Sequence, residues 1–371
     1  MAAADPELAL RLAKETADIY GDAVARLLRI VADRLARGIT EPGWAERKLD
    51  DVVRLRAEIL DEISRLDDAG ADAAERAVVD AHRRGVRAAA GELRGPRIAG
   101  TLTGTQRTAV DALAREIVAT PAADRIAEGV VEQLAGTHLR ILRSTLDAYR
   151  QTVAEAALPG VAAGVDTRRV AAQRALDRFA QQGVTGFVDA AGRRWQLESY
   201  VEMATRTGSG RAMVQGRLDA YRAAGRDLVI VSDAPQECSA CRPWEGKVLS
   251  LSGQTSGRLD RGFSVAGTVD QATSAGLFHA NCRHDLRPYV AGLTERMTHT
   301  ADREGDRARQ QQRYLERGVR RWKRVEAVAL DDAARARAQA RSRAWQARIR
   351  GHVDEHGLKR QRQREQVGRA R

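Results

Sequence analysis

Cysteine is scarce in this chain: three residues in 371, at positions 238, 241 and 282. An odd and clustered set excludes a disulfide-framed secreted domain, because one thiol would be left over. Reduced thiols or metal ligands fit better. Aromatic residues make up only 4% of the chain, which argues against a sandwich or barrel, since such folds draw on aromatic and β-branched side chains. Long apolar runs are missing as well. No window approaches the roughly 18 consecutive apolar residues of a membrane span, so no membrane partner is expected. The opening segment MAAADPELALRLAKETADIY carries acids and a proline where an export signal has a basic region and an apolar run, and no export is expected. A P-loop, a Gly-x-Ser-x-Gly elbow and a His-Glu-x-x-His helix are all absent. Their absence argues against an ATPase or a protease, and no small-molecule substrate is expected.

What the sequence has is alanine, leucine, valine and arginine in helical patterns. Leu8, Leu12, Ile19, Leu27, Leu28, Val31 and Leu35 recur at spacings of a buried helical face, and Asp5-Pro6 supplies a cap and a first-turn proline. The segment GITEPGW, 38–44, stops this helix. A second is expected from about Ala45 to Leu66 and a third from about Ala71 to Ala90. A Gly-rich loop or hinge is expected over 91–105, and helical segments resume over 106–119, 121–156 and 166–182.

The pattern changes at Gly183. Val184, Phe187 and Val188 precede an Ala-Gly turn, and Trp195 and Leu197 follow it, predicting a short hairpin. RDLVIVSD, 226–233, and GKVLSLSG, 246–253, read as strands rich in β-branched residues. The expected class is mainly α with a small α+β domain. The expected divisions are an elongated helical region (1–183), a compact α+β core (184–292) and a basic amphipathic helical arm (293–371).

That arm holds 22 Lys and Arg against 11 Asp and Glu, and so carries +11 of the chain's +12 net charge. Charge this localised points to a polyanionic or acidic partner. The candidate contacts are Arg320, Arg321, Lys323, Arg324, Arg341, Arg343, Arg348, Arg350, Lys359 and Arg360. With no helix-turn-helix signature or aromatic stacking platform, any DNA contact is expected to be nonspecific. A solvated helical face, or an acidic protein partner, would account for the same charge.

The chemistry-bearing residues are concentrated in ECSACRPWEGKVLS and GLFHANCRHDLRPYVAG. Cys238 and Cys241 form a C-x-x-C pair, and His279 and Cys282 an H-x-x-C pair; a Cys3His set is a recognised closed zinc shell. His284 is an alternative ligand. The other reading keeps the cysteines as small buried residues with His279 bonded to backbone, and spacing alone does not choose between them. No thioredoxin-like context surrounds the C-x-x-C pair.

The strings LVIVSDAPQECSACRPWEGKVLS, 228–250, and HANCRHDLRPYVAG, 279–292, resemble the phage minor capsid protein 2 family, related to the Mu F-like head morphogenesis proteins. The resemblance rests on Ser232 at a strand end, on Trp244, Gly246 and Lys247 in a Trp-x-Gly-Lys turn, and on Asn281, Cys282, Arg283 and His284. RWQLESYVEMATRT, 194–207, and YLERGVRRWKRVEA, 314–327, are also similar to family segments. The first cysteine pair is not uniform in that family, so zinc would belong to a subset or be absent. The resemblance implies a structural head protein of a tailed phage, without enzymatic activity, located in the virion and in host cytoplasm during assembly. Its implied partners are the portal or the major capsid protein, with packaged DNA as a further candidate. Two alternatives explain some of the same residues: a zinc-containing nonspecific nucleic-acid-binding protein, and a metal-dependent nuclease or toxin. A nuclease would need an ion with an open coordination position and a general base.

Overall fold

The computed structural model describes residues 8–115, 120–158, 167–182, 185–188, 192, 194–234, 240–280, 282–296 and 302–368, with 185–188 and 194 described in backbone only. The described chain is helical apart from a two-stranded hairpin and a four-stranded sheet, as the composition requires. It divides into two compact units. Unit 1 takes in Ala73–Glu132 and Glu202–Asp306, and unit 2 takes in Glu15–Asp72, Gln133–Val201 and Arg307–Arg371. These units differ from the three consecutive stretches suggested by composition. Helical periodicity states which face of a segment is buried but not which other segment covers it.

Unit 1 contains the sheet, in the order β5-β4-β3-β6, with β3 at Leu228–Val231, β4 at Val248–Ser250, β5 at Val265–Thr268 and β6 at Leu286–Pro288. β3 pairs antiparallel with both β4 and β6, and β4 pairs parallel with β5. Side chains alternate across a strand, and both faces of this sheet are covered. Val229, Val231, Leu249 and Leu286 enter a core with Val86, Leu93, Val214, Leu218 and Tyr221 of two helices. On the opposite face Ile230 and Val248 pack with Phe263 and Tyr289. Burial on both sides is why β3 reads as the unbroken apolar run Leu-Val-Ile-Val rather than an alternating one.

The helices beneath the sheet are parts of Val52–Leu93 and Leu197–Ala223. Their backbones approach so closely that a β-carbon on Gly216 would lie 2.2 Å from the His82 carbonyl oxygen, and one on Gly85 would lie 2.1 Å from that of Met213. His82 then bonds across to Asp219 at 2.9 Å.

Unit 2 is a helical assembly. The first helix is described over Leu8–Ala36 and ends where its apolar spacing predicts; the Asp5-Pro6 cap lies outside the described residues. The second and third expected helices are instead one, Val52–Leu93, continuous through the DDAGAD segment. Gly70 does not break it, because its bare α-carbon admits the Tyr20 ring: a β-carbon there would be 2.8 Å from Cε2. The helix Trp44–Asp50 is anchored by Trp44, whose indole N–H donates to the Leu35 carbonyl at 3.0 Å. The expected hairpin is present as β1, Thr185–Val188, paired antiparallel with β2, Arg194–Gln196.

The C-terminal segment is helical as expected, but it is not a lone exposed helix. Helices Arg303–Ala327 and Asp332–Glu355 pack on each other through Leu315, Val319, Ile349 and Val353. Gly318 lies directly under the Trp345 ring. No described helix is long and apolar enough to cross a membrane.

If the bare backbones of Gly85 and Gly216 hold the two helices together, Gly216→Ala should lower stability by about 1–3 kcal/mol through overpacking. Gly210→Ala, in the same helix with open space around it, should be neutral or stabilising by up to about 1 kcal/mol through helix propensity. Denaturant midpoints of the two variants provide the comparison; equal shifts would reject the role of the contact.

Candidate metal centre and the motif around it

The residues that resembled a family motif converge on one end of the four-stranded sheet. Two loops meet there: the connection after β3, which leads into β4, and the segment running into β6. Antiparallel pairing of Val231 with Leu286 brings them together. Ser232 and Asp285 join the two loops twice, the Ser232 N–H donating to the Asp285 carbonyl and the Asp285 N–H to Ser232 Oγ, each at 2.9 Å. Trp244 ends a short 3-10 turn, Arg242–Trp244, and packs at the edge of the main core. Gly246 takes the left-handed conformation, φ +68°, that lets its N–H return to the Val231 carbonyl at 3.1 Å. The carbonyl of Lys247 accepts from Val231 N–H at 3.0 Å, continuing the ladder, while its side chain is exposed. Arg283 is half-buried. Asn281 and Cys238 lie outside the described residues.

At the centre, Cys241 Sγ lies 3.5 Å from Cys282 Sγ, and Cys282 Sγ lies 3.4 Å from His284 Nδ1. One donor atom from each of Cys241, Cys282 and His284 falls within 4.8 Å of the others. The far nitrogen of His284, Nε2, faces Glu245 Oε1 at 2.7 Å, and both side chains are almost wholly buried, at 2% and 3% exposure. The backbone N–H of His284 also points at Cys282 Sγ, 3.4 Å away. His279, the histidine favoured by H-x-x-C spacing, is not in this group; its Nδ1 is 2.6 Å from the Ala280 carbonyl.

The hydrogen bond with Cys241 holds the Cys282 thiol well below its ordinary range, with His284 adding to the effect against the opposing influence of burial. Burial opposes protonation of His284, but Cys282 and Glu245 outweigh it and raise that imidazole. The contact between the two groups thus favours the charged form of each over the neutral one.

Beneath the motif lies a second polar group that the sequence did not reveal. Arg217 reaches Asp285 Oδ2 at 2.8 Å and Glu92 Oε1 at 3.0 Å. The Tyr221 hydroxyl lies 2.8 Å from Glu92 Oε2 and 3.2 Å from the Leu286 carbonyl, and donates its one proton to the nearer carboxylate. Burial pushes the Asp285 carboxyl up to about 6, against the pull of Arg217. Glu92, Arg217 and Tyr221 left no signal beyond being charged or polar in helical runs. Glu245 did leave one: a carboxylate inside the motif is the usual outer partner of a metal-facing histidine.

The basic candidates separate by burial. Arg324 is fully buried, donating to the Ala180 carbonyl at 2.9 Å and pairing with Glu198. Arg320 is 8% exposed and bonds to the Arg364 carbonyl and to Ser199. These two are structural, a correction to their expected role, because their guanidinium groups are taken up inside unit 2. Lys323 bonds to Gln366, and Arg360 makes a two-pronged pair with Glu365. Arg321, Arg341, Arg343, Arg348, Arg350 and Lys359 are exposed.

Comparison with known proteins agrees with the motif. A 220-residue stretch, 57% of this chain, is 29% identical to a structural protein of Lactococcus phage LL-H, and a 103-residue stretch, 26% of this chain, is 38% identical to a structural protein of Lactococcus phage mv4. The matches span 59% of the first relative and 84% of the second. No solved structure matches. These relatives place the chain among phage structural proteins. It belongs to the phage minor capsid protein 2 family, whose pattern it follows over residues 5–354.

Removing Arg217 leaves the buried Asp285 and the half-buried Glu92 without their cation. Arg217→Met should therefore cost about 3–5 kcal/mol at neutral pH. The carboxyl of Asp285 already sits above its unfolded value of 3.8, near 6, so its contribution to stability falls as pH rises through that window. Loss of Arg217 widens the gap. The penalty of the variant should be larger at pH 7 than at pH 4–5, and urea unfolding at the two values checks this; a pH-independent penalty would contradict the assignment.

Proposed function

We propose that this chain is a low-copy structural component of a tailed-phage head, associated with the portal or the inner capsid surface, and acting in head assembly, DNA packaging or DNA delivery. The observation that carries the reading is the family pattern over residues 5–354, nearly the whole chain. The names of the two phage relatives, both structural proteins, support the same class. Its place is the virion, with host cytoplasm as the site of synthesis and assembly. The role is architectural and calls for no catalysis.

Its contact with packaged DNA is nonspecific. Helix Asp332–Glu355 offers Arg341, Arg343, Arg348 and Arg350 to solvent, and Arg348 and Arg341 are steadied over the rings of Trp345 and Trp322 at 4.6 and 5.8 Å. Guanidinium groups held in this way suit phosphate oxygens without reading bases.

Purified heads provide the test. The chain should co-sediment with heads in a density gradient, at far fewer copies than the major capsid protein. In DNA-filled heads, crosslinks to DNA should map to 341–350. Recovery of the chain only from the head-free fraction would overturn the structural role, and crosslinks confined to other segments would overturn the DNA face.

A further inference from the structure

The geometry points to a zinc site in which Cys241, Cys282 and His284 Nδ1 supply three ligands, a solvent molecule completes the tetrahedron, and Glu245 orients the histidine. Tetrahedral zinc with bonds of about 2.3 Å to sulfur and 2.0–2.1 Å to nitrogen sets ligand separations near 3.8 Å for two sulfurs and 3.5 Å for sulfur and nitrogen. The two sulfurs stand 3.5 Å apart and Cys282 Sγ stands 3.4 Å from Nδ1, with all three donor atoms inside 4.8 Å. Little movement is required to place an ion among them.

The surroundings fit an ion as well as the distances do. Metal-bound histidines nearly always give their other ring N–H to a carboxylate or carbonyl, which fixes the tautomer. Here Nε2–H donates to Glu245 at 2.7 Å inside the protein, which leaves the Nδ1 lone pair facing the sulfurs. The His284 backbone N–H directed at Cys282 Sγ stabilises sulfur as thiolate. On binding, the ion displaces the protons held by the sulfurs and Nδ1, and these go to solvent. Zinc has no redox chemistry, so no oxidant or reductant is involved. The ion would tie the loop after β3 to the segment entering β6, locking the end of the sheet that carries the family motif. His279 and Cys238, candidates from spacing, are not needed for these three bonds.

The test is the zinc content of the full-length chain purified without chelator, together with cobalt(II) substitution. The expected result is about one zinc per chain. With cobalt, a sulfur-to-metal charge-transfer band and the intense visible bands of a tetrahedral site should appear. Glu245→Gln should weaken zinc binding by 10–100-fold while leaving the chain folded, and His279→Ala should leave affinity unchanged. Cys282→Ser should abolish the cobalt charge-transfer intensity from that sulfur; because this variant risks misfolding, Glu245→Gln carries the decisive comparison. Zinc near zero, a Cys241–Cys282 disulfide in place of the metal, or loss of binding in His279→Ala with Glu245→Gln unaffected would each overturn the proposal.

Discussion

The constraint on which unit 1 depends is the contact of two helix backbones at Gly85 and Gly216, where neither chain has room for a β-carbon. An approach this close sets the position of the residues that follow on the second helix. Arg217 and Tyr221 come next on it, and they hold Asp285 and Glu92 beside the carbonyl of Leu286. Leu286 opens β6, and the residue two before it is His284. A crossing made of missing side chains thus reaches, through one buried ion network, the loop pair that carries the cysteines.

That network is costly to bury and is retained beside the motif rather than replaced by apolar packing. A buried ion group is weak evidence for stability in itself, since well-packed apolar residues often do as well. Its value here is positional. Asp285 is bonded through its side chain to Arg217 and through its backbone to Ser232, so the segment entering β6 is fixed in both register and direction. The segment fixed in this way brings Cys282 and His284 to Cys241.

Much of this was legible in the sequence, and the failures have physical reasons. The first helix, the hairpin and the strands β3 and β4 could be read because apolar spacing and β-branched runs are local signals. The join of two expected helices into Val52–Leu93 could not, because a glycine in a helix looks like a break until the ring that needs its space, Tyr20, is known. His279 was preferred over His284 by spacing alone. The fold sets His284, and not His279, beside Cys282 and Glu245, a placement that spacing does not encode. Among the arginines, periodicity showed one apolar edge but could not show that Arg320 and Arg324 face inward, since a guanidinium is buried only where carbonyls and carboxylates from distant segments meet it. The family resemblance was the most legible feature of all, because it rests on short strings, and the comparisons extend it to nearly the full chain.

The claim that the glycine crossing positions the ion network is tested most directly by a double-mutant cycle between Gly216→Ala and Tyr221→Phe. Tyr221→Phe removes the hydroxyl bonded to Glu92 beside the Leu286 carbonyl without altering the ring. If the crossing sets the placement of that hydroxyl, the two losses overlap, and the coupling should exceed about 0.5 kcal/mol. Additivity within about 0.3 kcal/mol would mean that the network is positioned by something else, and would contradict the account.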